Sequence, residues 1–202
     1  MNYERDRAWA EVSLDRLADN YHKLSEFVGP SCKVLCVIKG NAYGHGAVEV
    51  SKELERAGCA ILGAATIEEA MELREHGIKL PVLLLGPINP AYAALAAEQG
   101  FIVPLIDAAH AEELSAAAAA AGKTITAHLK IDTGMSRYGL SVGKDMDGCV
   151  AEALHMTKLP NLRVTGVFTH FAVANIPEED AFTRRQMTLF RTFSDRMEQN
   201  GV

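Results

Sequence analysis

Short apolar runs of strand length alternate with longer amphipathic stretches along the whole chain. The runs are Val34 to Ile38, Ala60 to Ala64, Val82 to Leu85, Ile102 to Ile106, Ile125 to Ile131 and Val164 to Phe168. Between them the apolar positions recur with helical spacing, over Ala47 to Ala57, Ile67 to Glu75, Ala91 to Gln99, Ala109 to Ala121 and Asp147 to Thr157. A last helix is expected from Asp180 to Gln199. Gly58, Gly77, Gly100 and Gly122 fall just after four of these helices, and Pro81 stands before a strand, as helix stops and strand starts tend to do. The Ala116 to Ala121 run reads as helix packed closely on a sheet, because alanine is the best helix former. Repeated strand–helix units imply a parallel sheet. A short first strand near Ala10 to Ser13 precedes roughly six such units. Two architectures fit, a doubly wound open sheet and a (β/α)₈ barrel. A barrel needs eight units and typically about 250 residues, so on that reading the chain is a barrel incomplete at its C-terminal end. No internal linker separates a second domain, and residues 1–202 read as one.

Composition narrows the function classes. The 202 residues carry a formal net charge of -6, which argues against a nucleic-acid partner, since phosphate binding wants a basic face. No apolar run approaches the roughly 20 residues of a membrane-spanning helix. The opening Met-Asn-Tyr-Glu-Arg-Asp-Arg has no apolar core, so no secretory signal is expected. Cys32, Cys36, Cys59 and Cys149 form no metal pattern and read as reduced thiols of a cytoplasmic protein.

Three strand ends carry candidate chemistry. In Val37-Ile38-Lys39-Gly40-Asn41-Ala42-Tyr43-Gly44-His45-Gly46 an apolar strand ends in a lysine and a glycine-rich loop follows. The carboxyl ends of parallel strands are where α/β sites are built. Alternation puts Leu35, Val37 and Lys39 on one face, where burial would make Lys39 a usable amine nucleophile. Tyr43 adds a hydroxyl in the loop. The second string is Ala127-His128-Leu129-Lys130-Ile131-Asp132-Thr133-Gly134-Met135-Ser136-Arg137-Tyr138-Gly139. His128, Lys130 and Asp132 share one face, and buried charges there must be paired. They serve either as an internal ion-pair cluster or to orient Arg137, whose fork suits a carboxylate. The third string, Val164-Thr165-Gly166-Val167-Phe168-Thr169-His170-Phe171-Ala172, ends a strand in His170.

All three strings, in this order, resemble those of the alanine racemases, as does the opening Arg7-Ala8-Trp9-Ala10-Glu11-Val12. Many members carry alanine where this chain has Gly40, and often aspartate where it has Asn175; Thr183 and Gln186 keep the family's spacing. The resemblance implies the N-terminal (β/α)₈ barrel domain of that family, binding pyridoxal 5'-phosphate. It implies that Lys39 forms the Schiff base, that Tyr43, Arg137 and His170 line the cofactor, and that Arg137 also takes the substrate carboxylate. Lys130 matches a position that some members carbamylate; no metal is implied. The implied reaction interconverts L-alanine and D-alanine for peptidoglycan by two-base proton transfer in a cytoplasmic homodimer. One base is Lys39, and the other is a tyrosine of a C-terminal β domain absent from these residues. The isolated chain is therefore expected to racemise alanine near background. Alternatives are a non-catalytic barrel that holds the same cofactor, and a serine or broad-specificity racemase.

Overall fold

In the computed structural model, which describes residues 8–202, strands and helices alternate nearly as the apolar pattern predicts. The residues gather into two units, one ending at Leu83 and one running from Leu84 to Val202.

The first unit begins with a difference. Residues 10–13 form no strand, and Arg7 lies outside the described residues. Ser13 instead caps a helix, α1 (Leu14–Val28), accepting from the Arg16 amide at 3.3 Å. This helix was not expected. Its apolar residues recur at helical spacing, but none is buried. It packs on α3, and the Tyr21 hydroxyl donates to the Gly58 carbonyl at 2.9 Å. Then follow β1 (Leu35–Val37), a single turn α2 (Lys39–Tyr43), α3 (Ala47–Arg56), β2 (Ile61–Ala64) and α4 (Ile67–Glu75). β1 and β2 pair in parallel, Val37 opposite Gly63. β3 (Val82–Leu84), buried throughout, falls on the division between the units.

The second unit continues with α5 (Ala93–Glu98), β4 (Phe101–Leu105), α6 (Ala108–Ala120), β5 (Ile125–Asp132), β6 (Leu140–Ser141), α7 (Met146–Met156), β7 (Leu162–Phe168) and α8 (Asp180–Gln199). β4, β6 and β7 all pair with β5 in parallel. Asp107 and Asp145 cap α6 and α7 through their carboxylates, the N-terminal signature of such helices. The expected alanine-rich helix is α6, which buries Ala111, Leu114 and Ala118.

β5 organises this unit. Leu129, Lys130, Ile131 and Asp132 are all buried, so both faces of its C-terminal half are covered, as in parallel sheets. The two-residue β6, too short to stand out as an apolar run, places Leu140 opposite Ile131. Gly139 is thereby pressed onto β5: a Cβ there would sit 2.6 Å from the Lys130 carbonyl oxygen, at φ +110°. We expect Gly139→Ala to cost about 3 kcal/mol in urea unfolding, from backbone strain and overpacking together. Gly122→Ala, at φ +62° with open space around it, should cost only about 1–2 kcal/mol. Equal losses would mean that the loop does not press on Lys130.

Candidate active site

The loop after β1 is wound left-handed. Gly40, Asn41, Ala42 and Tyr43 have φ of 60°, 54°, 52° and 55°. For L-residues this conformation costs roughly 1–2 kcal/mol each, with asparagine and glycine the tolerant cases. Several hydrogen bonds offset it. Ala42 N donates to Ile38 O at 2.7 Å, and Gly44 N to Gly40 O at 3.0 Å. Asn41 turns its side-chain oxygen onto the Ala47 amide at 2.7 Å, where α3 begins. Open space surrounds Gly40, so an alanine there meets only the dihedral cost.

Lys39 opens this turn. The expectation of a buried face shared by Leu35, Val37 and Lys39 is not met. Ile38 is the buried residue, Val37 is 37% exposed, and Lys39 is half-buried. Its ammonium lies 5.9 Å from the centre of the Tyr43 ring, and Tyr43 itself is exposed. The turn thus presents an accessible amine beside a phenol.

In the second unit, Lys130 and Asp132 are both buried but do not close on one another. Lys130 Nζ donates to the Ile131 carbonyl at 2.9 Å and lies 5.5 Å from the ring centres of both Tyr138 and Phe168. Burial pushes its pKa down to about 8; Asp132 nearby opposes the shift and Arg137 adds to it. Asp132 accepts from the Gly134 and Ser136 amides at 3.0 and 2.8 Å and from the Ser141 hydroxyl at 3.1 Å. Burial alone would raise its pKa, but these donors and Lys130 outweigh burial and lower it. Of the two expectations, a paired cluster or a group that orients the Arg137 loop, the second describes Asp132.

Arg137 is exposed, its guanidinium 5.0 Å from the Tyr138 ring. Tyr138 is anchored by its hydroxyl, which donates to the Leu85 carbonyl, so the ring between Arg137 and Lys130 is fixed. His128 lies across Gly166, where a Cβ would fall 2.8 Å from the imidazole, and burial lowers its pKa. His170 is exposed just past β7. Its carbonyl accepts from Gln186 Nε2 at 3.1 Å, and the same amide group donates to Thr133 Oγ1 at 3.0 Å. The fully buried Gln186 of α8 therefore ties the ends of β5 and β7 together. Asn175 is exposed.

Lys39 and Tyr43 thus lie together in the first unit. Lys130, Arg137 and His170 lie at the ends of paired strands in the second. Two contributors are not visible as such in the sequence: Glu69, whose carboxylate accepts from the Gly40 and Ala65 amides, and the Tyr138 and Phe168 rings beside Lys130. The Thr66-x-x-Glu69 spacing of a capping box was the available signal for the first. For two rings that meet Lys130 from a loop and from β7 there was none.

Residues 12–202 match the family described as alanine racemase, N-terminal domain. The chain belongs to that family. Alanine racemase 2 of Caldanaerobacter subterraneus subsp. tengcongensis is 39% identical over 192 residues, covering 95% of this chain and 48% of that protein. Among solved structures, alanine racemase of Clostridium difficile 630 superposes with a TM-score of 0.89 at 33% identity, covering 96% of this chain and 50% of that one. Histidine racemase of Leuconostoc mesenteroides subsp. sake superposes at 0.79 with 28% identity, covering 89% and 47%. The chain spans about half the length of the relatives it matches. This membership carries the parallel α/β architecture of the barrel family. Among the described residues, no helix is long and apolar enough to cross a membrane.

The buried Lys130 makes stability depend on pH. Its pKa falls from 10.5 in the unfolded chain to about 8, so between those values the unfolded state binds more protons and stability rises with pH. Below about pH 8 both states are protonated, and the buried charge is a constant cost. Relative to Lys130→Met, the wild-type chain should gain about 3 kcal/mol between pH 7.5 and 10.5, read from urea unfolding at each pH. Parallel profiles for the two proteins would mean that Lys130 is solvated.

Proposed function

We propose that this chain is the cofactor-binding part of a pyridoxal-phosphate-dependent amino-acid racemase acting on alanine. The observation that carries the reading is Lys39, a half-exposed amine at the carboxyl end of a parallel strand, held on a left-handed turn beside Tyr43. Those residues fit pyridoxal phosphate. An aldehyde needs an accessible primary amine, and Lys39 is half-exposed. When bound, the cofactor ring supplies an electron sink for negative charge at the α-carbon of an amino acid.

The chain's own residues then have separable tasks. Lys39 would hold the cofactor through its amine. When free, that amine would take a proton from one face of the α-carbon or return it there. Inversion needs a second base on the opposite face. The resemblance assigns that base to a tyrosine of a C-terminal β domain, from the partner in a homodimer. Arg137, steadied against the Tyr138 ring, offers two donors to a carboxylate. His170 is assigned to the pyridine ring by the same resemblance. Lys130, with a pKa near 8, keeps a neutral fraction that can add carbon dioxide, which fits the carbamylation known in the family. Residues 1–202 would then form the partial barrel of a cytoplasmic enzyme that supplies D-alanine for peptidoglycan. The likeness to a histidine racemase favours a second reading in which other amino acids are also accepted.

Borohydride reduction of the full-length protein treated with pyridoxal phosphate should place the pyridoxyl label on Lys39 by peptide mass analysis. A label on Lys33 or Lys130 instead would sink the assignment. Chiral chromatography should show L-alanine and D-alanine interconverting, and Lys39→Ala should abolish this without changing the fold. Arg137→Lys should raise KM for alanine roughly tenfold, the fork being lost while the charge stays. Unchanged kinetics would make Arg137 an ordinary surface residue.

A further inference from the structure

The last ladder bond between β1 and β2 is Ile38 N to Gly63 O, 2.8 Å. Beyond it both chains leave the sheet, one into the left-handed turn and the other into the start of α4. Each then has a backbone N–H with no strand to receive it, and one side chain takes both. Glu69 Oε1 accepts from the Gly40 amide and Glu69 Oε2 from the Ala65 amide, each at 2.7 Å. The carboxylate extends the ladder by one more rung.

Glu69 is three residues beyond the helix cap Thr66, whose hydroxyl accepts from the Glu69 amide at 3.4 Å. In a capping box the third-position glutamate reaches back to the amide of the cap residue. Here the carboxylate goes instead to Ala65, one residue earlier, and to Gly40 across the gap. The helix gives up half of its capping box, and the turn after Lys39 gains a fixed point. Among the described residues the Lys39 ammonium has no hydrogen bond or ion pair of its own. The Tyr43 ring, 5.9 Å away, belongs to the same turn. The direction in which Lys39 leaves the backbone is therefore set by the peptide that joins it to Gly40, and Glu69 holds that peptide.

We propose that Glu69 is a positioning residue for Lys39: its carboxylate clamps the Gly40 amide to the end of β2 and so fixes the amine that attacks the cofactor aldehyde. This rests on the reading of Lys39 as the cofactor lysine. Glutamine at position 69 is nearly isosteric but has one acceptor oxygen, and its NH₂ opposes the second donor. One tie is then lost with little change in packing. Alanine loses both.

The test uses the full-length protein and three variants, Glu69→Gln, Glu69→Ala and, as a control, Thr66→Ala. The control removes the Thr66 bond to the Glu69 amide but leaves both carboxylate bonds in place. Three quantities are measured: thermal unfolding, amide hydrogen exchange at Gly40 and Ala65 without cofactor, and the rate of borohydride-trapped label at Lys39 under limiting pyridoxal phosphate. In Glu69→Gln, exchange at one or both amides should quicken about tenfold, the loss of one charge-assisted hydrogen bond. Labelling of Lys39 should slow roughly three- to tenfold as the amine loses its fixed orientation. Glu69→Ala should exceed both changes; should it fail to fold, Glu69→Gln decides alone. Thr66→Ala should melt earlier yet label at the wild-type rate. Wild-type labelling kinetics in Glu69→Gln would overturn the inference, as would a Thr66→Ala slowed to the same extent, since that would make the effect one of stability. Wild-type protein that takes up no label at Lys39 would sink the cofactor reading and this inference with it, whereas normal wild-type labelling and an unaffected Glu69→Gln sink this inference alone.

Discussion

Where a parallel strand ends, its backbone N–H groups lose their partners in the sheet and must find other acceptors. In this chain two carboxylates meet that constraint, and the loops that carry the candidate chemistry are shaped by them. Asp132, the last residue of β5, gathers the amides of Gly134 and Ser136 and the hydroxyl of Ser141. The segment between β5 and β6 is thereby folded back on itself, and Arg137 projects from its far end. In the other unit Glu69 does the same for Gly40 and Ala65, and Lys39 stands at the edge of what it holds. A carboxylate suits this task because each of its two oxygens can accept from a different segment of the backbone.

The same constraint explains how Lys130 is tolerated. A buried ammonium is expensive unless paired, and the nearest carboxylate is already engaged with the loop. The protein surrounds the ammonium with a carbonyl oxygen and two ring faces, a weaker arrangement than an ion pair, and the depressed pKa is the result. Tyr138 is shared, since its ring faces Lys130 on β5 and Arg137 in the loop. A change at Tyr138 would thus disturb a buried charge and an exposed arginine together.

Much of the fold was legible in the sequence, for physical reasons that differ by element. Buried strands such as β2 and β4 read as apolar runs because both faces are covered. α3, α4 and α6 read from their periodicity and glycine stops, and α7 and α8 from periodicity alone, within a residue or two of their ends. α1 lies outside the predicted helices although its apolar residues recur at helical spacing, and the end of the strand expected near Ala10 to Ser13 is its N-cap. β6 escaped because two residues carry no period. The burial phase of β1 came out opposite to the alternation argument, with Ile38 buried and Val37 open, because so short a strand leaves its last residues to the turn. Of the candidate site, the residue types were plain from the three strings. Their support was not: the left-handed turn, the Glu69 clamp and the Tyr138–Phe168 enclosure depend on contacts between segments far apart in the chain.

This division between legible and hidden parts follows from what each part must do. Groups meant to meet a cofactor or substrate sit at fixed offsets after a strand, so a linear string records them. Groups that hold those residues in place need only reach the right backbone atom, and a side chain from any neighbouring helix can do so. Gln186 shows the difference within one molecule. Its spacing from Thr183 is visible in the sequence, yet its task, joining the Thr133 hydroxyl, the His170 carbonyl and the Ala172 amide, exists only once α8 lies along β5 and β7. A glutamine suits that position because it must donate and accept at once, and Gln186→Glu, ionised and without a donor, would set a carboxylate against the His170 carbonyl at the end of β7.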